Sequence, residues 1–181
     1  RLMSEEFSEA EATQQRYRHF VPQLNESFNR FLRITDADTR ILKRYQSLLL
    51  SNGERFAQTF YEYLFHFPAT AEVLNNYQAA GGKIEDLVRK QLAHLNDFLL
   101  GDRGGESAIA LTRIGHIHHR HGIEPAWFMG AYLLYLDYLH EVMDDAGAIA
   151  DADRQHLEDA IQKFLFRDMG MMMEGYWDSA L

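Results

Sequence analysis

Apolar residues recur at three- and four-residue spacing along nearly the whole chain, and no stretch shows the period of two that a strand requires. Residues 4–19 are polar and acidic with few apolar positions, which predicts a surface helix or a partner-dependent arm. A second short segment, 22–32, carries Leu24, Phe28, Phe31 and Leu32 at helical spacing. Thr35-Asp36-Ala37-Asp38 is a helix start, with Thr35 as cap and carboxylates at the positive end, and Ile41, Leu42, Tyr45, Leu48 and Leu49 form its stripe. The next helix opens at Asn52-Gly53, carries Phe56, Phe60, Leu64 and Phe67, and is expected to stop at Pro68. A helical turn over 71–77 leads to the break Ala79-Ala80-Gly81-Gly82.

From Ile84 to Leu99 the apolar face is broad and ends at Gly101. A further helix over 106–121 is closed by Gly122, and Pro125 suits the first turn of the following one. Residues 125–145 are apolar around most of the circumference, and 151–178 repeat Leu157, Ile161, Phe164, Leu165, Met169 and Met172. Such helices must be covered on more than one side. The pattern predicts one all-α domain of about six to eight helices.

Composition narrows the function classes. With 46% hydrophobic residues in 181, the chain can bury a real core. The net charge of −9 argues against gripping nucleic acid or anionic lipid. No apolar run reaches the length of a membrane span, so a cytoplasmic domain is expected. The absence of cysteine removes disulfides, thiolate metal sites and cysteine nucleophiles together. Histidine is therefore the main candidate metal ligand.

His116, His118, His119 and His121 stand within one short segment. Only residues three or four apart share a helix face, so His118 and His121 can pair, and no carboxylate joins them on that turn. No Glu-x-x-His occurs anywhere in the chain, which disfavours a di-iron bundle. His116, His119 and His121 are expected to face water. His118 continues the stripe of Leu111, Ile114 and Gly115 into the interior, and Gly115 leaves room for something bulky to approach. A lone His on an apolar face is more often a satisfied core residue. A haem would also explain it, because one proximal His can hold the iron.

The segment Ile114-Gly115-x-x-His118-x-x-x-Gly122-Ile123-x-Pro125-x-Trp127-Phe128 resembles the proximal-helix signature of globin-coupled sensors and protoglobins. The resemblance implies a globin fold with an extra N-terminal helix and long last two helices, haem b as cofactor, and His118 as the proximal iron ligand. Phe60-Tyr61-x-x-Leu64-x-x-x-Pro68 resembles an early core helix of that family, which makes Tyr61 the distal donor to bound O2, with CO and NO as alternative gases. Gln91-Leu92-x-His94-Leu95-x-x-Phe98 resembles the helix that roofs the haem. The pocket is then expected to be lined by Phe60, Leu87, Gln91, Leu92, Ile114, Ile123, Trp127, Phe128 and Tyr132. The matches cover about residues 34–140, leaving 1–33 as a helical extension and 34–181 as the sensor globin domain.

Two departures stand out. The roof helix offers Asp86, Leu87 and Lys90 where relatives often place a small hydroxyl residue, so Tyr61 is the only distal donor expected. Phe128 replaces a tyrosine found in relatives, so a backbone carbonyl is the candidate to orient His118. His94 falls outside the Leu87–Gln91 face and is not expected to reach the iron. The resemblance implies a homodimer through the last two helices, with the Met-rich end as an adaptable junction or as core. It also implies a domain that is not itself an enzyme, controlling an output domain missing from this chain, a diguanylate cyclase or kinase. The alternative is a stand-alone protoglobin-like haem protein that binds or transforms O2, NO or CO.

Overall fold

A computed structural model of the chain describes residues 2–145 and 147–179, with side chains described for Gln15, 18–145 and 147–177. The described residues form nine helices and no strand. In order they are α1 (Leu2–Phe31), α2 (Asp36–Leu49), α3 (Gly53–Leu64), α4 (Pro68–Ala79), α5 (Ile84–Leu99), α6 (Gly105–Arg120), α7 (Pro125–Gly130), α8 (Tyr132–Asp145) and α9 (Asp151–Ser179). The expected all-α architecture is observed, and the helix starts at Asp36, Gly53 and Pro125 lie where the capping and proline signals put them.

Three boundaries differ from expectation. The helix is continuous through Pro22, where two segments were expected. Proline forfeits a backbone hydrogen bond there, but Val21 is buried and a Cβ on Gly105 would meet Pro22, so packing against α6 holds the turn together. Pro68 starts α4 instead of stopping α3, which already ends at Leu64. Thr70 donates its hydroxyl to the Leu64 carbonyl at 2.5 Å, satisfying an acceptor that α3 leaves open. The expected single helix over 125–145 breaks at Ala131, directly after the low-propensity Gly130.

The structural centre is the crossing of α6 with α9. A Cβ on Gly115 would lie 1.8 Å from the Met172 carbonyl oxygen, and one on Gly175 would lie 1.9 Å from the Thr112 carbonyl oxygen. What approaches Gly115 is therefore the backbone of α9 and no bulky group, which corrects the sequence-based reading. Around the crossing, Met171 and Met172 are fully buried, so this part of the Met-rich end is core.

A second tie lies at the start of α6. The guanidinium of Arg167, 1% exposed, donates to Asn25 of α1 (3.1 Å) and to the carbonyls of Asp102 (2.8 Å) and Gly104 (3.1 Å). One buried side chain on α9 thus joins α1 to the loop that launches α6. Burial pushes the neighbouring Asp168 carboxyl up to about 7, although Arg167 opposes that shift.

Candidate functional site

His118 sits in the last turn of α6, half-buried, and its position follows from the crossing just described. Leu111 and Gly115 bury the same helix against α9, which turns the 118 position toward α7 and α5. The His118 Nδ1–H donates to the Ile114 carbonyl one turn earlier at 2.7 Å. That hydrogen bond fixes the tautomer and leaves Nε2 with its lone pair. The Phe128 ring stands edge-on to the imidazole with centroids 5.0 Å apart, restricting its rotation. Burial pushes the His118 pKa below its usual range, and His121 adds to this, while the Ile114 hydrogen bond works the other way. A neutral imidazole with one free nitrogen is a competent metal ligand.

A second group of the expected site residues comes from α3 and α5. Tyr61 is half-buried beside the Phe60 ring, centroids 5.2 Å apart, and its hydroxyl points at Gln91 Oε1 across a long 3.4 Å. Burial, helped by Tyr77, raises the Tyr61 phenol above its ordinary range, so it remains a donor. Gln91 and Tyr61 are thus brought together from separate helices. Leu87 shares the Gln91 face one turn earlier and is half-buried. Leu92 is turned elsewhere: its side chain packs over Gly53 at the start of α3.

A third group comes from the α7–α8 stretch. Phe128 and Tyr132 are buried and their rings touch at 6.0 Å. Ile114 and Ile123 are half-buried. Trp127 is 39% exposed and lies against Phe67, beside a cleft of about 270 Å³ that His121, Ile123 and Val73 also line.

The histidine cluster divides differently from expectation. His121 is exposed, but His116 and His119 are half-buried, and His119 stacks on Tyr176 of α9 with centroids 5.7 Å apart. The α6–α9 crossing covers this face, which periodicity on α6 alone does not reveal. Among the described residues, no three His, Asp or Glu side chains converge as a metal-binding group, so the cluster itself is no multi-ligand site.

His94, set aside in the sequence, and Tyr135, not singled out there, both turn toward the interior. His94 packs edge-on against Tyr135, 6.0 Å between centroids, and burial with some contribution from His118 pushes its pKa down to about 4. It therefore faces inward, contrary to its assignment outside the Leu87–Gln91 face. Tyr135 is 4% exposed, and its hydroxyl has no hydrogen-bond partner. The signal that could have found it is the spacing of Phe128, Tyr132 and Tyr135, which share one helical face.

The residues present suit a haem. One imidazole with a free Nε2, apolar and aromatic neighbours, a buried phenol and an orphaned buried hydroxyl together match the donor set and lining such a group needs. No helix among the described residues is long and apolar enough to cross a membrane.

A family model described as Protoglobin matches residues 24–181. Among solved structures, the chain is similar to the globin domain of a globin-coupled sensor from Geobacter sulfurreducens, with 24% sequence identity and a TM-score of 0.75. That likeness covers 83% of this chain and 96% of the other, and at this identity it speaks for the fold.

Proposed function

Because the chain belongs to the protoglobin family, whose model spans residues 24–181, we propose that it is a haem-based gas-sensing globin in which His118 holds the iron. The observation that carries this reading is the His118 hydrogen bond to the Ile114 carbonyl, which occupies Nδ1 and leaves Nε2 free to bind a metal. Haem, when bound, supplies an iron centre able to take a diatomic gas. The chain has no cysteine for thioether attachment, which favours haem b.

The remaining chemistry belongs to the protein. Donation from Nδ1 to a carbonyl raises the ligand strength of Nε2, and Phe128 keeps the ring plane fixed. Tyr61, whose contact with Gln91 is long at 3.4 Å, would be the donor available to the gas. A donor in a dry pocket favours a ligand with partial negative charge, so O2 gains more than CO. The Tyr61→Phe variant is expected to release O2 at least about tenfold faster, from the loss of one charge-assisted hydrogen bond. Stopped-flow dissociation measures this, and an unchanged rate would remove Tyr61 from the distal role.

Transmission follows from the same crossing. Any displacement of His118 moves α6, and α6 touches the α9 backbone directly at Gly115 and Gly175. Leu133 (59% exposed), Phe166 (56%) and Trp177 (72%) leave an apolar surface on α8 and α9, which supports a homodimer through the last two helices. Light scattering is expected to give a dimer for the wild-type protein and a monomer for Leu133→Asp. A dimeric Leu133→Asp would move the interface elsewhere. The reading extends to cytoplasmic signal transduction with a diguanylate cyclase as the controlled output, on the strength of the family resemblance alone.

A further inference from the structure

We propose that the Tyr135 hydroxyl is a second distal hydrogen-bond donor to the bound gas, supplied by α8 in place of the hydroxyl residue that the roof helix lacks. This rests on the haem reading above. Phe128, Tyr132 and Tyr135 follow one another along one face, with centroid separations of 6.0 Å and 5.7 Å. Phe128 lies against His118, whereas Tyr135 lies against Phe60 (6.0 Å), Phe56 (4.8 Å) and His94 (6.0 Å). The aromatic row therefore runs from the proximal wall to the distal wall, and Tyr135 is its distal end. Its phenol also lies within electrostatic range of the Tyr61 phenol.

The hydroxyl at that end is buried and makes no hydrogen bond. Sealing an O–H away from water without a partner is destabilising, by about 1–3 kcal/mol for a typical group. Phenylalanine would keep every ring contact without that cost. A retained hydroxyl beside the gas position has a use if the gas is its acceptor.

The test is Tyr135→Phe, in which the packing is preserved. The apoprotein variant is expected to melt no lower than wild type, because an unsatisfied hydroxyl has been removed. After haem is supplied it is expected to show the wild-type Soret band, to release O2 about tenfold faster, and to raise the C–O stretching frequency of its CO complex. A normal Soret band with unchanged release and unchanged C–O frequency would overturn the assignment of Tyr135 alone. A wild-type protein that takes up no haem would overturn the underlying reading and this one with it.

Discussion

Protein carrying His118→Ala is expected to lose at least about a hundredfold in haem affinity and to show no histidine-ligated Soret spectrum when haem is supplied. Three observations support this expectation. Its Nδ1 is already committed to the Ile114 carbonyl, so Nε2 is the atom offered to the interior. Its ring is gripped by Phe128. No neighbour can substitute, since His121 is exposed beyond the end of α6 and His119 is stacked on Tyr176. Absorption titration of apoprotein with haem is the measurement, and His121→Ala serves as the control that keeps the wild-type spectrum. Wild-type haem uptake by His118→Ala would defeat the proximal assignment and force a search for another ligand, beginning with His94. That residue is a weaker candidate because its ring faces Tyr135 and the distal wall.

The second large effect is structural. Gly115→Ala is expected to destabilise the fold by about 3 kcal/mol or more, lowering Tm by roughly 10 °C. A new Cβ would lie 1.8 Å from the Met172 carbonyl oxygen and 2.7 Å from its carbon, and both atoms are backbone. A side chain could swing aside, but the spine of α9 can retreat only by separating the two helices. Gly175→Ala meets the Thr112 carbonyl oxygen at 1.9 Å and should cost a similar amount. Because both glycines serve one crossing, the double variant should lose less than the sum. Gly130→Ala is the contrasting case: nothing lies within 4 Å of its Cβ position, so the substitution should be neutral or mildly stabilising. Thermal melts followed by circular dichroism decide it, and a Gly115→Ala protein that melts like wild type would mean that α6 and α9 are less closely seated than described.

The two glycines and the tyrosines at 61 and 135 mark the division between local and tertiary information. Helical spacing along the chain was enough to read an all-α fold, because each residue's apolar or polar character acts on its neighbours three and four positions away. Register alone set only His121 correctly in water and misplaced His116 and His119, whereas the motif around His118 carried the family. Tyr61 was singled out only by the resemblance of its segment to a family motif, because the strict stripe of its own helix points to Phe60.

Other features depended on which helices meet. Pro22 reads as a breaker until Val21 and Asn25 are seen packed against α6 and α9. Gly115 reads as space for a ligand until Met172 fills that space. His119 reads as solvated until Tyr176 covers it, and Tyr135 reads as one more aromatic on an oily helix until its hydroxyl is found without a partner. For most of the chain the sequence by itself determined which segments are helical and which positions share a face, because those depend on short-range spacing. Only the tertiary structure decided what that face meets, because the partner lies on a different helix whose crossing is set by packing across the whole domain.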